Sequence, residues 1–141
     1  MININDCLKA YKLTLSVNKS NFVLFRSSHS KLDRIPSTLN FGTNSIKRVK
    51  SVKYLAITLE ENLNWLEHVE NVCNSIEKCF STFYNIRDYL NKDQILTLYY
   101  SHVYSKITYA LAVYGLTSIE NQQKIQLLQN ELLKVLTKEP Y

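Results

Sequence analysis

The spacing of apolar positions changes once along the chain, near residue 64. Before that point the pattern is short and β-like. Lys12 to Val17 alternates, Phe22-Val23-Leu24-Phe25 is an apolar run between polar stretches, and a Ser-rich loop extends through Ser30. Ser37–Phe41 and Ile46–Val49 then bracket Gly42-Thr43-Asn44, a composition that predicts a hairpin turn. Val52 to Leu59 predicts a further strand, and Ile4 to Lys12 reads as the end of a helix with Leu8 and Tyr11 on one side. From Asn64 the period becomes about 3.6. Trp65, Val69, Val72, Cys73, Ile76, Cys79, Phe80, Phe83, Ile86 and Leu90 form one stripe of about seven turns. Asn64 with Glu67 predicts a capping box at the start of this helix. A second helix is expected from Asn91, backed by Gln94, through Ile95, Leu98, Tyr99, His102 and Val103. Ile107–Tyr114 fits either a helix or a strand and ends at Gly115. Thr117 with Glu120 predicts the start of a last helix, with Ile125, Leu128, Leu132 and Val135 on one face. The expected fold is α+β: a small antiparallel sheet followed by a helical bundle.

Composition sharpens this picture. At 141 residues the chain has the size of one compact domain, and 45% hydrophobic with 21% charged residues is ordinary globular usage. Two Gly and two Pro favour long uninterrupted helices. Ten tyrosines suit half-buried helix faces, where the ring packs and the hydroxyl reaches water. A net charge of +5 is compatible with a polyanionic partner without requiring one. Cys7, Cys73 and Cys79 form no Cys-x-x-Cys pair and leave an odd thiol, which argues against a disulfide framework or zinc site and for a reducing compartment. No apolar run approaches 18 residues and the N-terminus lacks signal-peptide character, so an intracellular chain, nuclear or cytoplasmic and without membrane contact, is expected.

The candidate chemistry is sparse. Two-metal phosphoryl transfer needs carboxylates held close together, whereas Asp6, Asp33, Asp88 and Asp93 are scattered. The acidic doublet Glu60-Glu61 precedes a helix start, where it is expected to complement the macrodipole. His29, His68 and His102 lack metal spacing, and His68, beside the apolar stripe, is expected to be structural. No catalytic residue, metal, cofactor or small-molecule substrate is expected. The basic stretch Lys47-Arg48-Val49-Lys50-Ser51-Val52-Lys53 is the best nucleic-acid candidate. Read as one strand, it sends Lys47 and Lys53 to one face and Arg48 and Lys50 to the other. Such lysines could equally guard an exposed sheet edge.

Several motifs in order carry a family resemblance. Lys53-Tyr54-Leu55-Ala56-Ile57 is followed by Leu63, Trp65 and His68 as Leu-x-Trp-x-x-His. Upstream, Leu15-Ser16-Val17-Asn18-Lys19-Ser20 leads into Phe22–Phe25; downstream stand Leu98-Tyr99-Tyr100-Ser101, Tyr109-Ala110 with Tyr114-Gly115, and Ile125-Gln126-Leu127-Leu128-Gln129-Asn130. Together these resemble the end of the palm, with its fourth motif and primer grip, and the thumb of reverse transcriptases from non-LTR (LINE-type) retrotransposons. The resemblance implies a palm remnant over residues 1–60 and a thumb-like region over 61–141. It implies that the chain begins after that family's catalytic aspartates and lacks polymerase activity. Lys19 matches a lysine that approaches the incoming triphosphate, and Tyr54–Ile57 matches the primer-grip hairpin. Weak binding of an RNA/DNA primer-template by Lys19, Lys47, Arg48, Lys50, Lys53 and Tyr54 follows as the most the chain retains. An inert transposon remnant and a helical protein-interaction module are the alternatives. Ala56 stands where the family usually has Gly, so this position is either a strained turn with positive φ or a plain strand.

Overall fold

The structure, a computed structural model, describes residues 4–27, 36–41, 44–109 and 111–138. The fold is α+β, as the change of period predicted. The chain divides into two compact units: residues up to Lys53 with Glu60–Leu63, and Tyr54–Leu59 with everything from Asn64 onward. They are called the sheet unit and the helical unit below.

In the sheet unit, α1 (Ile4–Ala10) closes through Lys12, whose φ of 54° lies in the left-handed region. The Lys12 N–H bonds to the Lys9 carbonyl at 3.1 Å and the Leu13 N–H to that of Leu8 at 2.8 Å. This double bond pattern satisfies the last helical carbonyls. It is also why Lys12–Val17 is not the strand its alternation predicted: the segment begins inside a helix cap and ends in a 3-10 turn, Val17–Lys19. β1 is only Asn21–Phe22, so most of the Phe22–Phe25 run lies outside regular structure.

β2 (Thr38–Phe41) and β3 (Asn44–Arg48) pair antiparallel from Thr38↔Lys47 to Phe41↔Asn44. Turn residues 42–43, the Ser-rich loop from Ser28 and His29 lie outside the described residues. β1 lies on the other side of β3 and is parallel to it, Asn21↔Lys47 and Phe22↔Arg48, a departure from the purely antiparallel expectation. β4 (Ser51–Tyr54) and β5 (Ile57–Glu60) form a second, two-stranded sheet. The predicted continuous strand Val52–Leu59 is therefore a hairpin. Its two loop residues, Leu55 and Ala56, have φ of 47° and 64°, the sign pattern of a type I′ turn.

The helical unit holds the apolar core. α2 (Leu66–Ile86) packs along α6 (Ile119–Thr137). Val69, Ile76 and Phe83 from α2 meet Ile125, Leu132 and Leu136 from α6 in one buried cluster with Tyr99, Val103, Ile107 and Tyr114. Ile76 and Leu132 are fully buried, so truncating either to Ala should cost about 2–5 kcal/mol.

The helix boundaries differ from expectation by small, explicable steps. Trp65, not Asn64, is the N-cap of α2, with φ of 63°, while the Asn64 side chain accepts from the Leu66 N–H at 3.3 Å. α2 stops at Ile86 and Leu90 lies beyond it, because the chain turns to present Asn91 as the next N-cap. There the predicted capping box forms, Gln94 N–H to Asn91 and Asn91 N–H to Gln94, both at 3.0 Å. α3 (Lys92–Tyr99) continues through a π-helical turn (Tyr100–Tyr104) into α4 (Ser105–Thr108). Tyr109 then turns extended, φ −60° and ψ 120°, before α5 (Leu111–Tyr114), so the ambiguous stretch is two short helices around a break. Gly115 follows because a Cβ there would strike the Leu111 carbonyl oxygen. α6 is capped by Ser118 rather than Thr117; the Thr117 hydroxyl instead accepts from the Asn121 side chain at 2.9 Å.

Candidate nucleic-acid interface

Charge is divided unevenly between the two units. The sheet unit carries ten Lys and Arg against four Asp and Glu, a net of +6. The helical unit carries seven against eight, a net of −1. The positive excess of the whole chain thus resides in the smaller unit, which contains five of the six residues singled out from the sequence.

Four of those five are lysines with solvent-exposed side chains. Lys19 ends the 3-10 turn, which is tied by the Ser20 hydroxyl to the Ser16 carbonyl at 2.8 Å and lies against β3. Lys47 is exposed on β3, whose alternation turns Ile46 and Arg48 to its half-buried face. β3 ends at Arg48, and the chain bends at Val49-Lys50 before β4 begins, so the predicted alternation across residues 47–53 does not run through. Lys50 lies exposed in that bend and Lys53 exposed on β4. Among the described residues none of these four lysines forms an ion pair.

Arg48 is differently placed. Its guanidinium bonds to Glu61 Oε2, while Arg26 reaches Oε1 of the same carboxylate at 3.2 Å. The backbone reinforces this pairing: the Glu61 N–H bonds to the Lys50 carbonyl at 2.8 Å, and the Arg26 N–H to that of Glu61 at 2.9 Å. Glu61 is buried and paired with two arginines, whereas it was expected to complement the helix dipole. The cause is nonlocal, since two arginines distant in sequence converge on it. The hydrogen bond from Arg26, aided by the charges of Arg26 and Arg48, holds the Glu61 carboxyl below the usual range against the opposing effect of burial. Arg48 is therefore a structural cation, less available to an external phosphate than the four lysines. Charge pairing within the sheet unit gave no periodic signal in sequence.

Tyr54 closes β4 and is 63% exposed, beside the equally open Leu55. The turn that follows is held within the helical unit. The Tyr109 hydroxyl donates to the Leu55 carbonyl at 2.7 Å. On β5, the Thr58 N–H donates to His68 Nδ1 at 3.3 Å and the Asn71 side chain donates to the Thr58 hydroxyl at 3.2 Å. His68 is buried, edge-on to Tyr114 at 4.8 Å between centroids, and the Tyr114 hydroxyl bonds to the Ile107 carbonyl. Accepting at Nδ1 fixes the neutral ring with its proton on Nε2, and burial pushes the His68 pKa down. His68 is thus structural, as expected. Tyr109 and Asn71 were missed as partners of the hairpin; Tyr109 was visible only as part of a motif.

Among the described residues no group of three His, Cys, Asp or Glu could hold a metal ion, and no helix is long and apolar enough to cross a membrane.

Among curated proteins, the chain is similar to one from Drosophila melanogaster described as a probable RNA-directed DNA polymerase from transposon BS. The two are 30% identical over 95 residues, covering 63% of this chain and 10% of that protein. The chain thus spans about a tenth of that relative's length. No family model matches the chain, and no solved structure matches it.

Proposed function

We propose that this chain is a primer-grip and thumb segment of a reverse transcriptase of the non-LTR type, and that its remaining activity is weak, sequence-independent binding of nucleic acid through the sheet unit. The observation that carries this reading is the concentration of positive charge in that unit, with Lys19, Lys47, Lys50 and Lys53 exposed and free of ion pairs among the described residues. Phosphates are bound by such cations without regard to sequence. The similarity to a transposon RNA-directed DNA polymerase supports the family, and the hairpin turn at Leu55-Ala56 supports the primer-grip assignment. Tyr54 offers an open ring on which a base could stack. Arg48, engaged by Glu61, contributes by holding the sheet unit together.

The 141 residues contain no adjacent pair of Asp, so the same reading excludes polymerase activity from this chain by itself. Purified protein should give no primer extension with Mg²⁺ or Mn²⁺; measurable extension would refute this. Binding to a labelled primer-template duplex, followed by fluorescence anisotropy, should show a log-log salt slope of roughly −3 to −4 for about four phosphate contacts. An affinity independent of salt would overturn the assignment.

A further inference from the structure

The helical unit has an open groove that the nucleic-acid reading does not use. It runs between α2 and α6, has a volume of about 590 Å³, and is floored by Val69, Cys73 and Leu128. Its rims hold Leu66, which is 51% exposed, and Leu127, which is 62% exposed. Leu127 stands off the Ile125–Leu132–Val135 face by which α6 is buried, so it contributes nothing to that core. Apolar side chains left open along a groove and rimmed by charged groups offer a surface on which an apolar stripe could pack.

The rim charge identifies the occupant. Glu70 and Glu77 line it from α2 and Glu131 from α6, with Lys124 the one lining cation. Among the described residues none of these four forms an ion pair. The Cys73 thiol on the floor is pushed up by burial first and then by Glu77, which fits an acidic setting. The groove is therefore negative on a chain whose net charge is +5. A polyanion would be repelled locally, and a cationic partner gains nothing from the bulk charge. From Leu66 to Glu77 the α2 rim is roughly 17 Å long at about 1.5 Å per residue, enough for three turns of a helix with apolar anchors at i, i+3/i+4 and i+7.

We propose that the α2–α6 groove is a docking site for an amphipathic helix of a protein partner, apolar along one stripe and flanked by Lys or Arg. Leu66 and Leu127 pack beside the stripe, and Glu70, Glu77 and Glu131 meet its basic flanks. This surface is separate in residues from the lysines assigned to nucleic acid, so the two readings fail independently.

The test uses the full chain and two fluorescein-labelled synthetic helices of about four turns, one with Leu along one face and Lys beside it, the other with Glu in place of Lys. Anisotropy should show saturable binding of the Leu/Lys helix and at least tenfold weaker binding of the Leu/Glu helix. Joint substitution Glu70→Lys, Glu77→Lys and Glu131→Lys should reverse that preference. Leu127→Asp, at an exposed position, should weaken the Leu/Lys helix at least tenfold with unchanged circular dichroism. Replacing Lys19, Lys47, Lys50 and Lys53 by Ala should leave helix binding intact. Equal binding of both helices, or indifference to the triple reversal, would overturn the proposal. So would a concentration-dependent rise in sedimenting mass that Leu127→Asp abolishes, since the groove would then belong to a second copy of this chain.

Discussion

Ala56→Gly should stabilise the protein, although glycine substituted into a strand ordinarily destabilises it. Ala56 has φ of 64°, and an L-residue in that region clashes with its following carbonyl at a cost of about 1–2 kcal/mol. Glycine removes the clash but restores unfolded-state entropy worth roughly 0.5–1 kcal/mol. The difference leaves a net gain of about 0.5–1 kcal/mol, or roughly 1–4 °C in Tm for a chain of this size. The Ala56 side chain is exposed, so its loss costs little packing. Leu55→Asn should add a few tenths of a kcal/mol at about the same φ, because Asn tolerates the left-handed region and is favoured at the first position of this turn. Leu55 is 68% exposed, and the bond it accepts from Tyr109 is made by its backbone carbonyl, so the substitution leaves that contact in place.

The assay is urea unfolding followed by Trp65 fluorescence. Trp65 is the chain's single tryptophan and sits 6.5 Å from His68, the ring that receives the β5 N–H. Ala112→Gly supplies the opposite sign: in the short helix α5 it should cost about 0.5–1 kcal/mol. A lowered midpoint for Ala56→Gly would refute the reasoning and show that residues 54–57 are an ordinary strand in solution.

Replacing Lys47, Lys50 and Lys53 together by Ala should weaken duplex binding and flatten the log-log salt slope by about 3, read from anisotropy titrations in stepped salt. Glu61→Gln should lower the urea midpoint, since Arg26 and Arg48 lose their shared carboxylate, and should steepen the salt slope by about 1–2 as their guanidiniums become available. His68 has a pKa below its unfolded value of about 6.5, so its contribution to stability is full above that pH and is lost as pH falls through 6.5 toward the folded value. Urea midpoints should therefore drop between pH 7 and 5.5 in the wild type and change less in His68→Asn, whose side-chain oxygen can still accept from Thr58. Glu61, Asp88 and Glu120, with folded pKa values lowered, hold their contributions above about pH 4.5 and lose them below it, outside that window.

The helical half was legible because its information is local and periodic. The α2 stripe from Val69 to Phe83, the Asn91–Gln94 box and the Ile125–Leu132–Val135 face all came from spacings within a few turns. The errors at helix starts are of one residue, at Asn64 and Thr117, where a side chain bonds near a helix start without being its N-cap, whereas the end of α2 falls short of Leu90, at Ile86. The strand half was less legible because it is governed by backbone conformation and distant pairing. Leu55-Ala56 contains none of the Gly, Asn or Asp that normally announce a turn, and Lys12 ends a helix where Gly is expected. The residues that pair with Glu61 lie 35 and 13 positions away in sequence, beyond any periodic signal. Lys47, Lys50 and Lys53 stood out by composition and Lys19 by motif resemblance alone, and what sets Arg48 apart from them is its pairing with Glu61, which no local pattern shows.

Several motif residues of the helical unit are accounted for by packing and hydrogen bonding within it. His68 receives a β5 N–H and meets Tyr114, Tyr109 holds the turn carbonyl, and Ile125 fills the α2–α6 seam. A chain could keep this pattern to stay folded without ever touching a primer. The resemblance in this unit therefore speaks for fold, and the proposed nucleic-acid binding rests chiefly on the lysines of the other unit. Those lysines lie outside the buried cluster, so replacing them separates binding from folding. If unfolding of the Lys47, Lys50 and Lys53 variant is unchanged while duplex affinity and its salt slope both fall, the two kinds of residue have been told apart. If affinity is also unchanged, the basic stretch is no more than a protected sheet edge and the nucleic-acid assignment fails.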